Sequence, residues 1–314
     1  MLRTISVKIR VETIQLDAIR EERVVVLPDV ETFSLAVDDD EALVYKLATH
    51  ISCPSMQRTL LAHGRFNSGD VPRLIFPSSH CLHAIIRQYG MDQVEEIALE
   101  MKLDYNPTIL CSLTFRSSDA TALGLEFKLF RGAANDWDEE SIHLGGLDWT
   151  TLRYATATVQ NHPHLHSVRR LLLIGYMCFT SDFIDLQFFA NAFRELIESM
   201  GPLDLLSISR WDPRIYLTPF FLDIEEFEEF DHTRPTAYPP IKELKISHPS
   251  TPYHKEECTS AIVEFAKSQH ARGTPFERLE LCMEELPLGL AGGLKPWVGK
   301  VDCYECSCED SVEF

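Results

Sequence analysis

Residues 238–249, YPPIKELKISHP, predict the fold of this chain. After the prolines, Ile241, Leu244 and Ile246 follow the spacing apolar-x-x-apolar-x-apolar. The last two apolar residues are two positions apart, so they share one face of a β-strand, while the first lies where the backbone bends into it. The pattern therefore predicts a short strand with one buried face.

The same spacing recurs along the chain and predicts a repeat array. Its apolar triplets are Leu2, Ile5, Val7; Val30, Phe33, Leu35; Val94, Ile97, Leu99; Val168, Leu171, Leu173; Leu203, Leu206, Ile208; Ile241, Leu244, Ile246; and Phe276, Leu279, Leu281, with a degenerate copy in Met56, Thr59, Leu61. The last four copies start 35, 38 and 35 residues apart, which leaves room for a helix and two loops between strands. Repeated strand–helix–strand units predict parallel pairing, right-handed crossovers and a solenoid.

Two segments between these strands show helical spacing. Phe189, Phe193, Leu196 and Met200 form an apolar stripe that ends at Gly201, and Ile262, Phe265 and Ala266 form a second that ends at Gly273. Apolar residues three and four apart share one face of a helix, and glycine commonly ends a helix. Both segments are therefore predicted to be crossover helices.

A different pattern interrupts the repeat between about residues 109 and 130. Residues 109–115 and 122–130 alternate apolar and polar side chains, and the polar sequence RSSDA joins them. Alternation on both sides of a short loop predicts an antiparallel hairpin inserted into the array.

Composition limits the classes of partner and the location. The formal charge of −19 argues against nucleic acid, because phosphates repel an acidic surface. The longest apolar run has nine residues, 171–179, against the roughly 20 that span a bilayer. Nine scattered cysteines indicate reduced thiols rather than a disulfide framework. We therefore expect no membrane partner and a cytoplasmic or nuclear protein.

Strands of the form L-x-x-L-x-L alternating with helices resemble leucine-rich repeats. The phrases LATHISCPS (47–55), TPFERLELCMEELP (274–287) and LKPWVGKVDCYE (294–305) are similar to fungal F-box-type proteins. In that group an N-terminal F-box binds the Skp adaptor of a cullin ubiquitin ligase, and the repeats hold a target.

The resemblance implies a Skp-type adaptor as partner only if an F-box lies upstream, because the strand spacing already starts at Leu2. We expect this chain alone not to bind the adaptor. We also expect association through its uncapped first strand.

The expected fold class is α/β: an irregular leucine-rich-repeat-like solenoid with a mainly parallel sheet, crossover helices and one inserted antiparallel hairpin. The solenoid is expected to span residues 1–302, and residues 303–314 to form a flexible acidic tail that contains cysteines.

Three cysteine and histidine clusters were considered as metal sites: Cys303, Cys306 and Cys308; His162, His164 and His166; and His80, Cys81 and His83. None supplies a complete set of four ligands at the usual zinc spacing. The sequence also lacks the motifs of nucleophilic, phosphate-binding and metalloprotease sites. We therefore expect no catalytic residues, no metal, no cofactor and no enzymatic activity.

The remaining candidate is the concave face of the sheet, formed by residues that alternate with the buried ones. These are Glu96, Glu100, Arg170, Ser207, Ser209, Glu243, Lys245, Arg278 and Glu280. The extended inner surface of a solenoid suits protein ligands. The chain is therefore interpreted as a non-enzymatic protein-binding solenoid. The resemblance to F-box-type proteins implies that it is the target-recognition part of a ubiquitin-ligase subunit. The alternative is an orphan structural solenoid, from a truncated gene model, with no retained partner.

Overall fold

The computed structural model describes residues 3–10, 24–38, 41–67, 84–86, 88, 94–104, 108–117, 121–131, 160, 167–175, 193, 195–210, 217, 239–247, 255–283, 287 and 289–305. The chain divides into two units, Met1–Ser167 and Val168–Phe314, and each is described by itself. Both are α/β with mainly parallel strands.

The predicted apolar triplets form the core. In seven copies, from Val30 to Leu281 and including the degenerate one, every residue is at most 6% exposed. The predicted strand phase is therefore confirmed in these copies. The first copy differs: Leu2 lies outside the described residues, Ile5 is partly exposed and Val7 is 38% exposed. Its strand has a neighbour on one side only among the described residues, so less surface is available to cover it.

Among its described residues, the first unit contains eight strands and helix α1 (Glu41–Ala48), and residues 84–86 are also helical. In chain order, the strands and α1 are β1 (Thr4–Arg10), β2 (Val25–Val26), β3 (Thr32–Asp38), α1 (Glu41–Ala48), β4 (Ile51–Ser52), β5 (Arg58–Asn67), β6 (Val94–Asp104), β7 (Thr108–Ser117) and β8 (Ala122–Arg131). Strands β1, β3, β5 and β8 pair in parallel, and β8, β7 and β6 pair antiparallel. Strands β2 and β4 form a separate parallel pair.

The antiparallel hairpin lies where the sequence predicted it, as β7 and β8. It is an internal part of the sheet, since β8 pairs with β5 on one side and β7 pairs with β6 on the other. Within this unit, the strand that starts at Val94 pairs antiparallel with β7.

The second unit has five strands, all parallel and in sequence order within its described part. Its elements are β9 (Arg170–Ile174), β10 (Leu203–Ser209), β11 (Ile241–Ser247), α2 (Lys255–Ala271), β12 (Arg278–Met283), α3 (Leu290–Leu294) and β13 (Lys300–Glu305). Each strand pairs with the next along the chain. This order confirms side-by-side parallel strands for the copies that begin at Val168, Leu203, Ile241 and Phe276.

Helices connect these strands as the sequence predicted. Residues 195–199 are helical and precede β10, and α2 precedes β12. Helix α2 buries Ile262, Phe265 and Ala266, and the Phe265 ring lies 5.4 Å from that of Phe276. The helix ends at Ala271, and Gly273 follows with a φ of 77°, a left-handed conformation that glycine adopts without steric cost. The Gly273 and Thr274 amides donate to the carbonyls of His270 and Gln269, which is a Schellman motif.

A repeated backbone contact joins neighbouring strands at their amino ends. The Arg3 carbonyl accepts hydrogen bonds from the amides of Glu31 and Thr32, and the Glu31 carbonyl accepts those of Gln57 and Arg58. In the second unit, the Arg169 carbonyl accepts hydrogen bonds from the amides of Asp204 and Leu205. One carbonyl thus satisfies two amide donors at the bend that precedes the next strand.

Strand β13 was missed by the sequence analysis. Val298, Val301 and Cys303 repeat the triplet spacing, with Val298 6% exposed, and the strand runs to Glu305. Residues 303–305 therefore belong to the sheet rather than to the expected tail. Gly299 precedes this strand because a Cβ there would lie 2.8 Å from the Glu277 carbonyl oxygen. No helix within the described ranges is long and apolar enough to cross a membrane.

The strand phase can be tested with Leu244→Asp and Glu243→Ala. Leu244 is 1% exposed, so Leu244→Asp buries an unpaired carboxylate and costs several kcal/mol of a stability of roughly 5–15 kcal/mol. Glu243 lies on the opposite, partly exposed face, and Glu243→Ala should leave the chain folded. Thermal unfolding followed by circular dichroism measures both; equal melting temperatures would contradict the assigned phase.

Thr59 provides a second test, because it is 2% exposed and its hydroxyl has no hydrogen-bond partner in the described part of the chain. Thr59→Val keeps the shape and removes the unsatisfied hydroxyl, so the free energy of unfolding should rise by about 1 kcal/mol.

The matched control is Thr274→Val. The Thr274 hydroxyl donates to Gln269 Oε1 at 3.0 Å, so the same substitution there should lower the free energy of unfolding by about 1 kcal/mol. Urea denaturation compares the two variants. Destabilisation by Thr59→Val would show that its hydroxyl is satisfied.

Candidate functional site

The candidate site is the sheet face of the second unit that lies opposite its buried triplets. We call it the open face, and it consists of three residues from each of five strands: Arg170, Leu172, Ile174; Leu205, Ser207, Ser209; Glu243, Lys245, Ser247; Arg278, Glu280, Cys282; and Lys300, Asp302, Tyr304. Alternation along each strand places these side chains away from the core. All fifteen positions are partly or fully exposed.

Strand register arranges these residues in three rows across the sheet. The middle row, for example, runs Leu172, Ser207, Lys245, Glu280 and Asp302. Neighbouring strands are about 4.8 Å apart, so a five-strand row extends over roughly 19 Å. Apolar side chains occupy the β9 end, serines the middle and charges the β13 end. The open face is therefore an extended surface with graded chemistry.

Ion pairs connect the charged end of the open face across three strands. Lys245 Nζ lies 2.9 Å from Glu280 Oε1, and Arg278 Nη2 lies 3.2 Å from Glu280 Oε2. Asp302 Oδ2 accepts hydrogen bonds from Arg278 Nε and from Lys300 Nζ, each at 2.8 Å. Positive and negative side chains thus alternate in one continuous network.

The charge of the open face differs from that of the chain. Its four basic residues, Arg170, Lys245, Arg278 and Lys300, exceed its three acidic ones by one, whereas the whole chain carries −19. A surface whose charge differs from that of the rest of the chain favours a ligand with complementary charges. The open face therefore has a small positive net charge, although the chain to which it belongs is strongly acidic.

The network shifts the pKa values of two of its members. Hydrogen bonds from Lys300 and then Arg278 lower the pKa of the Asp302 carboxyl. The hydrogen bond to Asp302 raises the pKa of Arg278. Both shifts favour the charged forms of Asp302 and Arg278.

The structure places the nine predicted binding residues in two different settings. Arg170, Ser207, Ser209, Glu243, Lys245, Arg278 and Glu280 all lie on the open face. Glu96 and Glu100 belong to β6 in the first unit. The sequence predicts an exposed Glu96, but its side chain is 6% exposed and lies 2.6 Å from Arg116 Nη1. A register shift between Val94 and Glu96 accompanies this pairing, which no local spacing indicates.

Sequence reasoning missed eight of the fifteen residues of the open face: Leu172, Ile174, Leu205, Ser247, Cys282, Lys300, Asp302 and Tyr304. The triplet spacing of Val298, Val301 and Cys303 could have revealed β13 and its three alternating residues. Cys282 is disulfide-bonded, which corrects the prediction that the cysteines are reduced thiols. Cys53, Cys258 and Cys303 are free.

The cysteine and histidine clusters that the sequence argues against as metal sites lie mainly outside the described residues. These include His80, Cys81, His83, His162, His164, His166, Cys306 and Cys308. Burial and the neighbouring Asp302 raise the pKa of the Cys303 thiol. Among the described residues, no three histidine, cysteine or acidic side chains are grouped as a metal site. The expectation that purified protein carries no stoichiometric zinc stays a prediction.

Comparison of the chain with protein-family models, with curated proteins and with solved structures finds no match. The arguments for function therefore rest on the open face and on the sequence.

The ion-pair network can be tested by titration of Asp302. Lys300→Ala removes the largest cause of the lowered pKa, so the pKa of Asp302 should rise toward its ordinary value of 3.8. The depressed pKa means that Asp302 stabilises the folded chain above the pKa of the unfolded state, and this contribution is lost as the pH falls through the folded value. Carboxyl carbon NMR shifts measure the pKa.

Lys267→Ala on α2 is the control, because Lys267 pairs with Glu264 and not with the network. It should leave the Asp302 titration unchanged. An unchanged Asp302 pKa in Lys300→Ala would contradict the network.

Proposed function

We propose that the chain is a non-enzymatic protein-binding protein whose ligand contacts the open face of β9–β13. The observation that carries this proposal is the ordered display of fifteen side chains in register on five parallel strands. The core triplets lie on the opposite side, so the open-face residues can differ in sequence without loss of the fold. Separation of a buried face from an open one is typical of sheets that present a binding surface.

The chemistry of the open face supports a protein ligand. Partly exposed Leu172, Ile174 and Leu205 offer apolar contact, and Ser207 and Ser209 offer hydroxyls that donate and accept hydrogen bonds. The neighbouring ion pairs offer charges of both signs. Protein interfaces combine these three kinds of contact. The overall charge of −19 disfavours a nucleic acid.

The resemblance to fungal F-box-type proteins supports a more specific role. In this proposal the open face holds the target of a ubiquitin ligase, in a leucine-rich-repeat-like solenoid within the cytoplasm or nucleus. A Skp-type adaptor is then a partner only of a chain with an F-box ahead of the repeats.

Charge reversal on the open face tests the proposal. Lys245→Glu replaces a network charge and should abolish capture of the specific partner, because like charges then oppose the partner's complementary group. Lys267→Glu is a matched control, since the side chains of Lys245 and Lys267 are 43% and 41% exposed and each forms one ion pair in the described part of the chain.

Affinity purification with isotope-labelled mass spectrometry compares the wild-type chain and the two variants. A partner retained by wild type and Lys267→Glu but lost with Lys245→Glu supports the proposal. Equal capture by both variants would contradict it. Absence of any specific partner would favour the structural solenoid without a retained ligand.

A further inference from the structure

The charged end of the open face is layered, with basic side chains outside and carboxylates beneath them. The side chains of Lys245, Arg278 and Lys300 are 36–66% exposed, whereas those of Glu280 and Asp302 are 16–22% exposed. Each of these two carboxylates pairs with two of the cations. Lysine and arginine extend their charged groups past the shorter acidic side chains. A ligand that approaches this end of the sheet therefore meets cations before anions.

We call the side chains of Lys245, Arg278 and Lys300 the basic patch. Their three charges equal in number the acidic residues of the open face, which are Glu280, Asp302 and the partly exposed Glu243. The arrangement of the charges, rather than their sum, therefore decides what binds. Because Coulomb energy falls with distance, a ligand at the surface interacts more strongly with the outer cations than with the carboxylates beneath them. The basic patch thus favours an anionic group.

The basic patch is small enough to select a short ligand. Lys245 lies two strands and two residues from Lys300, so their Cα atoms are about 12 Å apart. An extended peptide covers this distance with about four residues. A nucleic acid carries its phosphates far beyond the patch, where they meet the rest of a chain whose net charge is −19. A short acidic peptide places its carboxylates on the patch alone, and salt screens charges more than about 8 Å away.

The rest of the open face adds apolar contact at a fixed distance from the basic patch. Leu172, Ile174 and Leu205 are partly exposed on β9 and β10. The middle of these two strands lies two and a half strand spacings, or about 12 Å, from β12. This distance corresponds to three or four residues of an extended peptide, at roughly 3.3–3.6 Å per residue. Ser207 and Ser209 on β10 offer hydroxyls to the backbone of such a peptide.

We propose that the open face binds an extended acidic segment of a partner protein. The carboxylates of this segment contact the basic patch, and its apolar residues, about four positions away, contact β9 and β10. Lysine has three N–H donors and arginine five, so each cation can bond its inner carboxylate and the ligand at once. Exposed ion pairs are individually weak, so the apolar contacts supply part of the affinity. This inference rests on the proposed function and names the chemistry of its ligand.

A library of random dodecapeptides displayed on yeast tests the class of ligand. The fluorescently labelled full chain, residues 1–314, is used to sort the cells that bind it at about 0.1 M NaCl. We expect Asp and Glu to be at least about twofold more frequent in the selected peptides than in the starting library. Apolar residues should recur about four positions from the acidic ones. Selected peptides without acidic enrichment, or an absence of binders, would overturn the inference.

Variants of the basic patch show whether it holds the selected peptide. The most enriched peptide is synthesised, and calorimetry measures its affinity. Lys245→Gln combined with Lys300→Gln should weaken binding roughly three- to tenfold, because two exposed ion pairs with the ligand are lost. Lys245→Arg combined with Lys300→Arg keeps both charges and should bind within about twofold of the wild-type chain. Equal affinity of the glutamine variant and the wild-type chain would contradict the proposed contacts.

The matched control removes the same charge outside the open face. Lys267 is on α2 and Lys295 follows α3, so Lys267→Gln combined with Lys295→Gln should leave the affinity for the peptide unchanged. Equal weakening by the control would show that overall charge, and not the basic patch, attracts the peptide. The substituted lysines are partly or fully exposed, so all variants should melt at the wild-type temperature.

Other occupants of the open face give different results. Single-stranded RNA of eight uridines should bind at least about tenfold more weakly than the selected peptide, and equal binding would overturn the inference in favour of a nucleic acid. Self-association in light scattering that Lys245→Gln with Lys300→Gln abolishes would overturn it in favour of a second copy. A cellular partner that binds the open face without an acidic segment would overturn this inference and leave the proposed function intact. Selection of acidic peptides without any captured cellular partner would do the reverse.

Discussion

Burial of two apolar side chains, two residues apart on one face of each strand, is the interaction on which the structure depends. Leu206 and Ile208 of β10 pair in register with Leu244 and Ile246 of β11, and all four are at most 1% exposed. Burial of each such side chain is worth about 1.5–3 kcal/mol. A shift of one residue would expose this whole set, so burial also determines the register.

The same alternation creates the open face. Every buried pair leaves residues such as Ser207 and Lys245 on the other side of the sheet, where a substitution has little effect on folding stability. Their ion pairs remain partly exposed, so water and salt weaken their contribution to stability. The fold and the proposed binding surface thus depend on different faces of the same strands. This separation is the physical basis for proposing the open face, rather than the core, as the binding surface.

The first unit shows how one core pattern accommodates two strand arrangements. Across its sheet, β1, β3, β5 and β8 are parallel neighbours, and β7 and then β6 follow β8 with antiparallel pairing. Buried triplets occur on β3, β5 and β6 alike, although β6 pairs with an antiparallel neighbour. A triplet therefore specifies which face of a strand is buried and leaves the direction of its neighbour open.

The sequence by itself determined the strands that carry the apolar triplets from Val30 to Leu281, their buried faces, two crossover helices and the hairpin, because these depend on spacings of two to four residues. It also identified seven of the open-face positions by alternation alone. It did not reveal β2, β4 or β13. Only the tertiary structure decided that β8 lies beside β5, that Glu96 is buried against Arg116, and that Cys282 is disulfide-bonded. These features join residues distant in sequence, and the geometry that brings them together arises only when the sheet is assembled.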